Sequence, residues 1–335
     1  MNKFLIVLLL ALVFCNKEFN LDSVLFEKFQ RFIKKYNKKY ESINEFLARF
    51  EVFKRNTIST LSEKNTLYKT GITKFSDLTK QEFTKIYLNL NYDAMATINL
   101  EPYIVSGTKD APEAYDWRSY NVVSAVKDQG ACGSCWAFAS TGNLESLYAI
   151  HEGNIRTFSE QMLIDCDTTD AGCNGGLMEY AFSWLKKNGG IMFDNDYPYE
   201  GIKSACKSDK SKYANMTIVG FKKLYDPYSE WGCVDEDEMK EFLYETGPLA
   251  IILNADPLQT YMSGIIDLTS TKCPSNKINH AVLIVGYGVQ NGINYWIIKN
   301  SWGKSWGEAG YFRIRRGNGT CGVNCYVISA IVSFD

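Results

Sequence analysis

The stretch Gln129-Gly-Ala-Cys132-Gly-Ser-Cys135-Trp136 decides how this chain is read. It opens an apolar run that predicts a helix from Ser134 to His151, stopped by Gly153, so Cys135 falls in its first turn. The reactive form of a cysteine is the thiolate, and the positive end of a helix dipole stabilises it there. Gly133 lets the chain turn tightly into the helix, and Cys132 can tie that turn down. A sulfur nucleophile also needs a base, and the chain offers two histidines. His280 heads the strand-like run Ala281-Val-Leu-Ile-Val-Gly-Tyr-Gly. Asn300, 20 residues on, closes the run Tyr295-Trp-Ile-Ile-Lys, where its amide could accept from the imidazole and orient the ring. His151 sits before Glu152 and Gly153 at a polar helix end and reads as a solvated surface residue.

Around this centre the chain reads as globular. It has 335 residues, 46% hydrophobic and 22% charged. After the N-terminus no apolar run reaches the eighteen residues a membrane helix needs, and no Lys/Arg cluster points to nucleic acid. Lys3 followed by the short apolar stretch Phe4 to Phe14 predicts a signal peptide cut near Cys15. A lipid-anchor site at Cys15 is the rival reading, and Phe14 argues against it. Entry to the secretory route permits disulfides, which suits ten cysteines. Without Cys15 nine remain, all between Cys132 and Cys325; the number is odd, so one thiol is left over.

Residues 21–68 contain no cysteine and carry helical periodicity: Phe26, Phe29, Ile33, then Phe46, Phe50, Phe53. Ser42 with Glu45 predicts a capping box. Residues 16–110 hold 16 Lys and Arg against 12 Asp and Glu, and residues 111–335 hold 19 against 26. A basic front unit and an acidic back unit would attract each other. The boundary is expected between Asn91 and Ala111, around Pro102, Gly107 and Pro112. In the back unit Met178 to Asn188 predicts a helix. From Ile218 the pattern turns to strands at Leu249–Leu253, Ala281–Val285, Tyr295–Ile298 and Tyr311–Ile314, which together imply an α+β protein with two lobes.

Two other readings of the cysteines are open at this point. Cys132-x-x-Cys135 could be a redox pair, although the aromatic Trp136 follows the second cysteine instead of preceding the first. It could be half a zinc site, although Cys166 and Cys173 have the wrong spacing for the other half.

Taken together, several motifs in order resemble the papain-like cysteine proteases, specifically the cathepsin L-like group with an inhibitory propeptide. They are Gln129, the Cys-Gly-Ser-Cys-Trp block, Cys173-Asn-Gly-Gly-Leu-Met, Asn279-His280-Ala281 and Asn300-Ser-Trp-Gly. In the front unit they are Glu45, Arg49, Phe53, Asn56 and Gly71-Ile-Thr-Lys-Phe-Ser-Asp77. The front motif departs after Asn56, its next positions falling one residue late at Leu61 and Asn65. The interval from Cys135 to His280 is lengthened around Tyr228 to Glu238.

The resemblance implies a papain-like two-lobed fold, a helical lobe plus an antiparallel β-barrel-like lobe with the active site in the cleft. It divides the chain into a signal peptide (1–15), an inhibitory propeptide (16–110) and a mature domain (111–335), with a helical lobe about 122–220 and a β lobe about 221–335. It implies a Cys135 thiolate, an imidazolium at His280, Asn300 as orienter, Gln129 as oxyanion donor and Trp302 over the Asn300–His280 contact. The substrate would lie on Gly175 and Gly176 and fill an apolar pocket of Leu177, Met178, Ile252, Ile278, Ala281 and Tyr326. Ile252 and Tyr326 are bulky, so medium aliphatic residues are expected ahead of Phe and Arg. Only six residues separate Cys166 from Cys173, too few for the long loop that makes cathepsin B an exopeptidase.

The implied disulfides are Cys132–Cys173, Cys166–Cys206 and Cys273–Cys321; parity then expects Cys233–Cys325. The sequons at Asn215 and Asn318 fit the secretory route, with lysosome or extracellular space as destination. Cleavage near Lys109 or Asp110 would free the mature chain, with Asp77 among the acid-sensitive switches. A monomer acting on protein or peptide substrates and inhibited by its own propeptide is expected, with no cofactor, metal, nucleic acid or membrane anchor. A catalytically silent homologue is the competing class, but Cys135, His280, Asn300 and Gln129 are all retained.

Overall fold

The computed structural model describes residues 19–62, 67–88, 90, 111–229 and 232–334. The expected signal peptide, the expected cut near Lys109 or Asp110, and Asn65 lie outside the described residues.

The front unit is built by aromatic packing. Helices α1 (Phe19–Tyr36) and α2 (Ile43–Ser62) cross with Phe29, Phe32 and Phe53 fully buried between them. Phe46, Phe50 and Tyr40 close around Phe29, with ring centroids 5.3–5.9 Å away. The helix-period spacing of those aromatics is what makes this face continuous. Ser42 caps α2 as expected, its hydroxyl accepting the Glu45 N–H at 3.1 Å. The Glu45 carboxylate, however, reaches one residue further back, to the Glu41 N–H at 2.7 Å. Leu61, where the motif slips, is 67% exposed.

The back unit has two apolar cores. One gathers helices α4 (Cys135–Glu152), α5 (Glu160–Cys166) and α6 (Met178–Asn188). The other lies within a nine-stranded sheet. Strands β4 (Leu249–Leu253), β6 (His280–Gln290), β7 (Ile293–Lys299) and β8 (Tyr311–Arg315) are neighbours through antiparallel pairing in the order β8-β7-β6-β4. The last strand, β9 (Val327–Ser333), pairs with β4 and with β3 (Thr217–Leu224). Residue 220 thus falls inside β3, and β9 carries Ile328 and Ala330 back onto the helical core.

The strand-only reading of the C-terminal part needs correction at one place. Residues Glu236–Thr246 form a helix, α7, capped by Asp235 through the Asp237 N–H at 2.7 Å. Met239, Phe242 and Leu243 recur at helical spacing and are fully buried. That period was present in the sequence immediately after the stretch Tyr228 to Glu238 that read as extra residues.

The front unit is fastened to the sheet by backbone and side chains alike. Its short strand β1 (Tyr68–Thr70) pairs antiparallel with β5 (Tyr261–Ile266). Gly264, at φ +97°, permits this approach, since a Cβ there would lie 2.3 Å from the Leu67 carbonyl. Asn56 donates to the carbonyls of Ser76 and Leu78 at 2.9 and 2.8 Å, and Gln259 donates to the carbonyl of Leu78 at 2.8 Å. Lys38 and Tyr40 both reach buried Asp77, at 2.8 and 3.0 Å. Lys74 pairs with Asp128 at 2.7 Å across the boundary.

The third front helix, α3 (Lys80–Tyr87), opens on a complete Thr79–Glu82 capping box, and Arg49 grips the same carboxylate at 2.8 and 2.9 Å. Burial works against the Glu82 charge, yet Thr79 and Arg49 outweigh it and hold this carboxyl below its usual range. A depressed carboxyl contributes stability above its unfolded pKa of 4.5 and loses it as pH falls through the folded value. Glu82→Gln should therefore let the front unit detach at a higher pH than in the parent chain, measured by the pH midpoint of self-processing.

Candidate active site

Cys135 occupies the first position of α4, behind Ser134, which makes no side-chain cap bond. The N–H groups of Cys135, Trp136 and Ala281 all face its sulfur and favour the thiolate. Burial outweighs them and pushes the thiol up to about 11. It is the free cysteine among the described residues.

His280 begins β6 and is fully buried. Its Nε2 lies 2.8 Å from Asn300 Oδ1, and the same oxygen accepts the Ser301 N–H at 2.8 Å. An oxygen that already accepts a backbone N–H fixes the amide orientation, so Nε2 must carry the proton. Nδ1 is left as the basic lone pair, and it has no partner among the described residues. Burial pushes His280 down to about 4, with the Asn300 bond pulling the other way. The Trp302 ring stacks on the imidazole at 4.6 Å and 25°.

Gln129 is held across the two cores. Its N–H donates to the Ser301 carbonyl at 2.8 Å, and its Oε1 accepts the Ser301 hydroxyl at 2.6 Å. The amide Nε2 is thereby turned to the Cys132 carbonyl at 2.9 Å and to the carbonyl of Tyr87, in the front unit, at 3.5 Å. Phe75 and Phe83 of the same unit pack edge-on against Trp302 at 5.1 and 5.4 Å.

Of the remaining residues singled out by sequence, Leu177, Met178, Ile252, Ile278, Ala281 and Tyr326 come together in the helical core, each at most 5% exposed. Gly175 and Gly176 lead into Leu177 and are buried beside it. Trp302 stands apart from this group, in the sheet core on the far side of His280. Disulfides join Cys132–Cys173, Cys166–Cys206, Cys233–Cys325 and Cys273–Cys321. Asn215 and Asn318 are exposed.

Sequence reasoning missed the polar groups behind these walls. Ser301, the clamp on Gln129, was passed over. So was the buried set behind Asn300: Lys299 donates to Ser124 at 2.8 Å, Ser124 to Glu145, and Lys127 bridges Glu145 and Glu160 at 2.6 and 2.5 Å. Burial pushes Lys299 down to about 8. A lysine closing an apolar strand just before Asn300 was the available signal.

Residues 111–331 match the family described as papain family cysteine protease, and residues 29–83 match the cathepsin propeptide inhibitor domain. The viral cathepsin of Spodoptera litura multicapsid nucleopolyhedrovirus is 41% identical over 316 residues, covering 91% of this chain and 90% of that protein. Cathepsin F of Drosophila melanogaster is 39% identical over 92% of this chain and 50% of its own length. The digestive procathepsin L 3 of Tenebrio molitor larval midgut superposes with a TM-score of 0.80 at 35% identity, covering 91% of this chain and 98% of that one. Matched along both its mature part and its propeptide, and at 41% identity to a viral cathepsin over nine-tenths of each chain, this chain belongs to the papain family of cysteine proteases and is a zymogen.

Proposed function

We propose that the chain is a secretory-route cysteine endopeptidase in which Cys135 attacks the peptide carbonyl and His280 handles the proton. The observation that carries this reading is the Asn300–His280 bond, which leaves Nδ1 as the free base, together with the N–H of Ala281, the residue after His280, facing the Cys135 sulfur. In the closed zymogen both groups are neutral because both are dry. Release of the propeptide admits water and substrate, which lowers the cost of charge and lets the thiolate–imidazolium pair form. The thiolate adds to the carbonyl carbon, and the oxyanion takes hydrogen bonds from Gln129 Nε2 and the Cys135 N–H. His280 then protonates the leaving amine, giving an acyl-enzyme that water hydrolyses with His280 as base. Asn300 keeps the ring in one tautomer throughout, and Trp302 shields their contact.

The Tyr87 carbonyl beside Gln129 Nε2 supports inhibition by mimicry: a propeptide peptide group stands at the donor that an attacked carbonyl would use. The apolar wall from Leu177 to Tyr326 supports a preference for an aliphatic residue second from the cleaved bond, where burying Leu or Val contributes about 1.5–3 kcal/mol. Four disulfides and two exposed sequons support passage through the secretory route, to the lysosome or outside the cell.

Acid activation of the precursor with and without an epoxide that alkylates active-site thiols tests the reading. Label is expected on Cys135 with matching loss of turnover, whereas a processed, folded protein with neither would mark a silent homologue. Gln129→Ala should lower kcat on the order of a hundredfold with little change in KM. In a peptide library Leu and Val should lead at the second position; Arg or Phe ahead of them would refute the pocket assignment.

A further inference from the structure

Two buried carboxyls take no part in the chemistry above. Asp167 is 1% exposed and Asp170 6%, in a loop pinned by the Cys166–Cys206 and Cys132–Cys173 disulfides. Asp167 Oδ1 accepts the N–H groups of Thr169 and Asp170 at 2.8 and 3.4 Å, and Asp170 Oδ1 accepts the Leu177 N–H at 2.9 Å. The other oxygen of each, Oδ2, is buried and meets no donor among the described residues. The Asp170 N–H bond to Asp167 folds the loop back on itself and makes the two carboxyls neighbours, so that the Asp167 charge acts on Asp170. Two adjacent carboxylates with idle buried oxygens are costly on both counts, like charge and lost hydration. One proton between them removes both costs.

The surroundings offer no other relief. Glu179 is the nearest further acid, fully buried, and its carboxylate takes the Tyr326 hydroxyl and the Lys223 ammonium, the latter at 3.2 Å. The cation of this cluster is therefore committed to Glu179. The substrate ledge, in turn, rests directly on Asp170. A Cβ at Gly176 would lie 2.6 Å from Asp170 Oδ1 and 2.7 Å from the ring of Trp136, the residue after the nucleophile. The Gly175 carbonyl accepts the Ala171 N–H at 2.9 Å.

We propose that Asp167 and Asp170 share one proton, and that Asp170 so protonated is a positioning residue that holds the Gly175–Leu177 backbone in place to receive substrate. This rests on the endopeptidase reading. Burial first, then the charges of Asp167 and Glu179, push Asp170 up to about 9. A carboxyl raised above its unfolded value of 3.8 contributes stability that is complete below that value and lost as pH rises through the folded one. Deprotonation would set two negative charges beneath the ledge. KM should therefore climb several-fold as pH approaches about 9, while kcat, governed by Cys135 and His280, does not follow the same titration.

The test uses mature wild-type enzyme beside Asp170→Asn and Asp167→Asn. Infrared difference spectra of wild type minus either variant should show a protonated-carboxyl C=O band at neutral pH that vanishes near pH 9. Asp170→Asn keeps an acceptor for Leu177 and should leave KM flat with pH, and Asp167→Asn, which removes the second charge, should do the same. Absence of the band at neutral pH, or an unchanged KM rise in a folded variant, overturns the proposal. Should one variant misfold, the other decides. A wild type that shows the band but no turnover would instead defeat the endopeptidase reading and leave the shared proton standing.

Discussion

Two hydrophobic cores meet face to face, and the polar atoms of the site are confined to the seam between them. Gln129 from the helical side and Ser301 from the sheet side exchange a backbone and a side-chain hydrogen bond there, and His280 and Asn300 exchange theirs a few residues away. Because the seam is dry, these bonds act in a low dielectric and hold single orientations. The same dryness sets protonation: with the front unit in place, burial leaves Cys135 a thiol and His280 an uncharged imidazole. On the mechanism proposed above, the front unit thus suppresses the charged pair as well as covering the cleft.

The front unit achieves this by borrowing the mature protein's own surfaces. Phe75 and Phe83 extend the aromatic stack that Trp302 begins over His280, and Gln259 joins Asn56 in donating to the carbonyl of Leu78. Its hold on the mature part is distributed among the Phe75 and Phe83 rings, the Lys74–Asp128 ion pair and a strand pairing, while an aromatic helix pair and ion pairs at Asp77 and Glu82 hold the unit itself together. Apolar contacts of this kind are indifferent to pH, whereas the Glu82 carboxylate is held below its usual range by Thr79 and Arg49, so acid weakens that support and leaves the aromatic helix pair standing.

Much of this was legible in the sequence because it is written in local period or in a short motif. The aromatics from Phe26 to Phe53 announced α1 and α2, the run Leu249–Leu253 announced β4, and the block around Cys135 announced the nucleophile's helix. Helix α7 was overlooked although Met239, Phe242 and Leu243 mark its period, because its start falls in the stretch Tyr228 to Glu238 that read as an insertion. The polar supports were not legible at all. Glu179 meets Tyr326 across 147 residues and Lys299 meets Ser124 across 175, and no local pattern tells a buried, satisfied charge from a solvated one. Nothing in the sequence around Asp170 marks it as buried, because the groups that cover it, Gly176, Leu177 and Trp136, come from elsewhere in the chain.

Strand β1 has a consequence for the life of the mature protein. It is three residues long and lies at the edge of the sheet, beyond β5, which it covers along Tyr261, Ser263 and Gly264. Maturation that removes the front unit therefore strips a strand from a sheet as well as opening a cleft. The uncovered edge presents free N–H and C=O groups and the side chain of Met262, the kind of surface that recruits another extended chain. While the front unit stays in place, that border is covered.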